Sequence, residues 1–223
     1  MSAIEAVVSD FGGVLTSPLM GAFAALQEED DLDAGALGGA LRRITERDGR
    51  HPLYELECGR LTEHDFLSKL GAQLRSDLGR EVEMHSFAER YFGHLEPNHA
   101  MIGFLRELRA RGYRLAMLTN NVREWEPLWR AMLPVDELFE VVVDSAFVGL
   151  RKPDVAIYRL TCERLGVAPE ACLFVDDVEP NVAAAAAFGM AAVLFRSSEQ
   201  AIAEMREALG GDGQFSEPSR SQR

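Results

Sequence analysis

Cysteine is scarce in this chain, long apolar runs are absent, and positive charge is in deficit. The three cysteines, Cys58, Cys162 and Cys172, are odd in number and lack metal-ligand spacing, so they read as buried free thiols. No apolar run approaches the roughly 18 residues that a membrane span requires. The N-terminus opens on a short strand-like run, not on a charged region followed by a long apolar stretch. Together these absences predict a cytoplasmic protein with reduced thiols and no membrane partner. Lys and Arg number 23 against 36 Asp and Glu, a net charge of −13. So acidic a surface repels nucleic acid and anionic lipid over a Debye length, which disfavours a nucleic-acid partner. An acidic protein that handles anionic substrates needs local positive charge, either a bound cation or a placed lysine.

The composition is that of an ordinary globular protein, 47% hydrophobic and 26% charged over 223 residues, long enough for one large domain or a core with a smaller accessory unit. From residue 97 onward, helix-like and strand-like segments alternate. PNHAMIGFLRELRARG reads as a helix between Pro97 and Gly112, with Met101, Leu105 and Leu108 on one face. There follow an apolar run Arg114 to Leu118, a helix from about Val122 to Met132, a run Val141 to Val143, and a helix from about Pro153 to Leu165. Cys172 to Val175 is a strand, Pro180 to Phe188 an alanine-rich helix, Ala191 to Phe195 a strand and Ser198 to Leu209 a last helix. Such alternation signals crossover units and a doubly wound parallel sheet covered by helices, an α/β fold to which the run Ile4 to Val8 also belongs.

Between about residues 17 and 96 no clear strand appears, and helical pieces are separated by Gly and Pro. This predicts an inserted helical unit over 17–96, with the α/β core in 1–16 and 97–209. Within the insertion, LTEHDFLSKL has a capping-box-like start at Thr62 and Asp65, with Phe66, Leu67 and Leu70 on its apolar face. The tail 210–223, polar and rich in Gly and Ser, is expected to be disordered.

Three apolar runs end in polar residues: AVVSD at Asp10, LAMLTNN at Thr119, and CLFVDD at Asp176 and Asp177. The C-terminal edge of an open parallel sheet is where ligands bind. Carboxylates converging there repel one another unless a cation neutralises them, and hard oxygen ligands favour magnesium. Lys152, in GLRKPD, can reach the same edge and balance charge. Singly each cluster has a plainer reading, since an Asp at a strand end commonly caps a turn and Thr-Asn-Asn commonly forms one. Their order and spacing together are specific: DFGGVLT, LTNN, RKPD, then FVDD with a helix entered at Pro180 and Asn181.

This series resembles the four motifs of the haloacid dehalogenase superfamily, over essentially the whole chain to about Leu209, including a helical cap inserted after the first motif. The resemblance implies a magnesium-dependent, phosphatase-like hydrolase acting on a small phosphorylated substrate, with Asp10 as the nucleophile that forms a covalent intermediate. It implies magnesium (Mg2+) held by Asp10, the Gly12 carbonyl and Asp177, with Asp176 a direct or water-mediated helper. Thr119, the Asn120 amide and Lys152 correspond to groups that bind and stabilise the transferring phosphoryl group, and Asn181 to a residue orienting the metal shell. One departure matters. Typical phosphatases of this family read Asp-x-Asp, the second Asp serving as acid and base, and this chain has Gly12 there. The DFGGVL form looks closer to the branch holding N-terminal domains of soluble epoxide hydrolases and sugar-phosphate phosphatases, and it predicts a preference for good leaving groups. Two alternatives stand beside the phosphatase: a carbon–halogen hydrolase, for which Phe11 lacks the expected tyrosine hydroxyl, and a binding protein that kept the fold but lost turnover.

Other residues have plainer roles. Trp125 and Trp129 are expected in the core before a lid, with Arg123 beside them as a candidate anion binder. His51, His64, His85, His94 and His99 match no metal spacing and are expected at the surface or in caps. Glu55, Glu57 and Arg60 are read first as packing of the inserted unit and second as specificity residues. The alanines 183–187 allow close packing of a helix on the sheet.

Overall fold

The computed structural model describes residues 3–210. Its strands are β1 (Ala6–Ser9), β2 (Arg114–Thr119), β3 (Val141–Asp144), β4 (Cys172–Asp176) and β5 (Ala191–Leu194). They form one fully parallel sheet in the order β3-β2-β1-β4-β5. All four residues of the central strand β1 are buried. A strand covered on both faces reads as an unbroken apolar run, and this one feeds Val7 into one core and Ala6 and Val8 into the other.

Five helices stand between β1 and the helix that leads into β2: α1 (Leu19–Glu29), α2 (Ala36–Asp48), α3 (Pro52–Glu57), α4 (Glu63–Leu78) and α5 (Phe87–Gly93). The chain leaves and re-enters the core side by side. Thr16 bridges Pro97, Ser17 N–H donates to the Glu96 carbonyl at 2.8 Å, and Asn98 N–H donates to the Leu15 carbonyl at 2.8 Å. Beyond this neck come α6 (His99–Ala110), α7 (Glu126–Met132), α8 (Val135–Leu138), α9 (Ser145–Val148), α10 (Val155–Leu165), α11 (Glu179–Phe188) and α12 (Ser198–Ala208). Met101, Leu105 and Leu108 of α6 are fully buried, as their spacing predicts.

Several expected elements are adjusted by local chemistry. The segment 122–132 splits into a 3-10 turn at Arg123–Trp125 and α7, because Pro127 lacks an N–H and fits only the first turn of a new helix. The helix expected from Pro153 starts at Val155, after Asp154 accepts a bond from the Ala156 N–H as its N-cap. At α4 only half of the capping box forms: Thr62 accepts from the Asp65 N–H at 3.1 Å, while the Asp65 carboxylate takes the Thr62 hydroxyl at 2.9 Å. Phe66 and Leu70 are buried and Leu67 is half-buried. All three cysteines are free and buried. Among the described residues no helix is long and apolar enough to cross a membrane. The tail expected over 210–223 lies, apart from Gly210, outside the described residues.

Candidate active site

Strands β2, β1 and β4 are neighbours, so Thr119, Asp10 and Asp176 arrive at one edge of the sheet. Ser9 is level with Met117 on one side and Val175 on the other, and the Asp10 N–H donates to the Val175 carbonyl at 2.9 Å. Chain order reverses between β1 and β4, which leaves a crevice where the connecting segments diverge.

Lys152 joins the two strands. Its side chain is 1% exposed and its Nζ lies 2.7 Å from Asp10 Oδ1 and 2.6 Å from Asp176 Oδ2. The loop that delivers it is clamped by Asn120, whose side chain accepts from the Lys152 N–H at 2.8 Å and donates to the Lys152 carbonyl at 3.0 Å. Asp10 Oδ1 also accepts from the Phe11 N–H at 2.7 Å. Asp176 is fully buried and saturated: besides Lys152 it accepts from the Val178 N–H at 2.8 Å and from Asn181 Nδ2 at 3.0 and 3.1 Å.

Asp177 completes the acidic group, with carboxylate oxygens of Asp10, Asp176 and Asp177 all within 4.8 Å of one another. Three carboxylates stand against one ammonium, an excess of negative charge, with Asp10 and Asp176 buried and Asp177 exposed. Burial raises the Asp10 carboxyl above its ordinary range, Lys152 opposes the rise, and Asp176 and Asp177 add to it. Burial, followed by Asp176, likewise raises Asp177. For Lys152, burial acts to lower the ammonium, but Asp10 and Asp176 outweigh it and hold it above its usual value. The donor set is hard and oxygen-only. Its span is close to that of a six-oxygen shell of radius about 2.1 Å, roughly 4.2 Å across. The residues therefore fit a divalent cation such as magnesium, whose charge would cancel the surplus.

Over this edge lies a cavity of about 530 Å³, lined on the sheet side by Asp10, Gly12, Thr119, Asn120, Lys152 and Asp177.

A family model described as haloacid dehalogenase-like hydrolase matches residues 4–189. The chain belongs to that family. A Mycobacterium tuberculosis protein named "Phosphatase MT3486" is 34% identical over 89% of this chain and 90% of its own length. The mouse "Acyl-CoA dehydrogenase family member 10" is 30% identical over 92% of this chain, which spans only 19% of that protein. Among solved structures, an enzyme of the same family from Bacteroides thetaiotaomicron, in complex with magnesium and inorganic phosphate, superposes with a TM-score of 0.60 at 20% identity, covering 86% of this chain and 93% of the other.

The haloacid dehalogenase-like site thus draws together every residue singled out at the strand ends, while the flanking candidates divide. Trp129 is fully buried and packs on Phe11 with ring centroids 5.8 Å apart. Trp125 is also buried, yet it lines the cavity, and its indole N–H donates to Glu63 Oε1 at 2.7 Å. Arg123 does not line the cavity; its guanidinium donates to the Ala146 carbonyl at 2.7 Å and stacks on Phe147. Glu57 reaches the cavity from α3 and pairs with Arg151 at 2.7 Å, whereas Glu55 and Arg60 pair with each other away from it. Burial raises Glu57, against the opposing charges of Arg151 and Lys152. Among the described residues no histidine joins a metal-ligating group. Arg151 carried no signal of its own beyond standing next to Lys152, and the cavity-lining residues of α1 and α5 carried none.

Gly13 sets the position of Asp177. It has a φ of +76°, which favours glycine, and a Cβ placed on it would overlap the Asp177 carboxylate. Gly13→Ala is therefore expected to raise the magnesium concentration for half-maximal effect by about 10-fold or more, the size of change typical when a ligand's support is lost. Magnesium titration followed by calorimetry checks this, and an unchanged midpoint contradicts it.

Proposed function

We propose that the chain is a phosphomonoester hydrolase that works through an aspartyl-phosphate on Asp10. The observation that carries this reading is the meeting of Asp10, Asp176, Asp177 and Lys152 at one crevice. A carboxylate is a poor attacker of a phosphate dianion because both are negative. Asp10, the Gly12 carbonyl and Asp177, with Asp176 beside them, would hold magnesium, and its charge would offset this repulsion. Lys152 holds Asp10 in place for attack and, with the Thr119 hydroxyl and the Asn120 amide, stabilises charge on the transferring group. One Asp10 oxygen forms a bond to phosphorus as the ester oxygen leaves with its electron pair. Water then attacks that phosphorus, the bond to Asp10 breaks to release phosphate, and the solvent carries the proton balance by protonating the departed ester oxygen and taking up the proton that the water loses. Phosphate release should appear across a panel of phosphate esters, p-nitrophenyl phosphate among them, with magnesium, and vanish with EDTA. Silence on every ester, or full activity in EDTA, overturns the proposal.

Gly12 offers no side-chain acid for the departing oxygen. The space is occupied instead: a Cβ on Gly12 would lie 2.7 Å from Leu19 Cδ1, at the start of α1. Acyl, anomeric and aryl phosphates, whose leaving groups need little protonation, should outpace simple alkyl phosphates by about 10² to 10⁴. Gly12→Asp combined with Leu19→Ala should raise turnover of alkyl phosphates by about 10-fold or more, and Gly12→Asp alone by less. Equal turnover of both ester classes by the native protein contradicts the assignment.

A further inference from the structure

The cavity has two unlike halves. Its sheet side is polar and charged. The opposite wall comes from the inserted helices and is apolar, with Leu19 and Phe23 of α1, Leu53 of α3, Tyr91 and Phe92 of α5, and Trp125 from the 3-10 turn beside them. The rings form a continuous surface: centroids are 4.7 Å apart for Phe23 and Tyr91, 5.5 Å for Tyr91 and Trp125, and 5.7 Å for Phe92 and Trp125. The insertion contributes one charged residue to the lining, Glu57, and it is already paired with Arg151. Its other polar side-chain groups in the lining are the hydroxyls of Tyr54 and Tyr91; it contributes no Ser, Thr, Asn, Gln or His.

The apolar character continues to the mouth. Of the six large hydrophobic residues exposed among those described, three line this cavity: Met20 at 75%, Tyr54 at 45% and Val178 at 44%. Scattered exposed apolar residues need no explanation, but a cluster at the rim of one cavity marks a binding surface. A polyhydroxylated substrate placed here would lose water from its hydroxyls and find few partners on the apolar wall, which disfavours it. A hydrocarbon loses nothing by the same transfer and gains the burial of its own surface.

Resting on the phosphatase reading of the same site, we propose that the substrate is a phosphate monoester whose leaving group is extended and apolar and, as Gly12 requires, needs little protonation, such as a long-chain substituted phenol. Its phosphate lies at the Asp10 and Asp177 end, and its hydrocarbon part lies against Phe23, Phe92 and Trp125. Apolar surface selects the substrate, and the sheet edge turns it over.

The test is a series of 4-alkylphenyl phosphates with methyl, butyl and hexyl chains, assayed with magnesium below their micellar concentrations. The leaving phenols are nearly equal in acidity, so only the apolar length changes. kcat/KM should rise about 2- to 4-fold per methylene, at least about 30-fold from methyl to hexyl, mostly through KM. A flat series with measurable turnover overturns the apolar substrate and leaves the phosphatase intact. No phosphate from any member, nor from p-nitrophenyl phosphate, removes the phosphatase reading itself. Phe23→Asp, on a half-buried position, should flatten the series to under about 3-fold between methyl and hexyl, and undiminished steepness in that variant overturns the placement. Inhibition of the native protein by the matching alkylphosphonates should show the same dependence on length. A Ki independent of chain length counts against the proposal even if the variant does not fold.

Discussion

Asp10→Asn lowers phosphate release by about 10⁴-fold or more, the scale seen when an enzyme's nucleophile is removed, and leaves the folded protein at least as stable as before. The two halves of this expectation have one origin. The amide keeps the shape of the carboxyl and an oxygen that can accept from the Phe11 N–H and from Lys152, both now 2.7 Å from Asp10 Oδ1. It cannot attack phosphorus. It also removes one of three carboxylates that share a single ammonium, so the burial cost that chiefly raises Asp10, and the repulsion from Asp176 and Asp177 that adds to it, are relieved. Phosphate release beside a thermal melt separates the outcomes. Activity that persists takes Asp10 out of the mechanism, and loss of activity together with loss of the fold would make its role structural.

Lys152→Met is expected to destabilise the protein by about 3 to 5 kcal/mol, the range for breaking a buried ion pair by deleting one partner. The side chain is 1% exposed and Asp176 is fully buried, so neither carboxylate it serves is released to water when the ammonium goes. Methionine fills a similar volume, which confines the effect to charge. Urea unfolding with EDTA should show the lower midpoint. Added magnesium should restore part of it, since a ligand that binds only the folded state stabilises by mass action. Asp176→Asn in the Lys152→Met background should restore another part, by removing one of the stranded charges. A native-like midpoint for Lys152→Met would show that the ammonium does not neutralise these carboxylates in solution.

The strand-end residues were legible because of direction. Parallel strands all end at the same edge, so polar residues after the runs at Ala6, Arg114 and Cys172 meet whatever the loops do. Helix faces were legible from periodicity, as Met101, Leu105 and Leu108 show. Boundaries moved where a single residue competed, with Asp154 capping α10 and Pro127 opening α7. Arg123 stands next to the site in sequence, yet its guanidinium is held on the Ala146 carbonyl and outside the cavity lining, which only the packing of α9 decides. Glu57 stood among three candidates in YELECGRLT, and only the docking of α3 decided that it, and not Glu55 or Arg60, reaches the cavity.

By itself, then, the amino-acid order determined the parallel α/β layering, the helical insertion after β1, and the set of carboxylates, hydroxyl and lysine gathered at one edge. Each of these follows from short-range rules: burial on two faces, helical period, and the side of the sheet on which a strand ends. The tertiary structure alone decided that Lys152 spans Asp10 and Asp176, that Leu19 fills the space beside Gly12, and that α1, α3 and α5 turn an aromatic wall toward the site. Those arrangements depend on how one helical unit seats on another surface. That seating is a matter of side-chain packing between residues far apart in the chain, which no local pattern encodes.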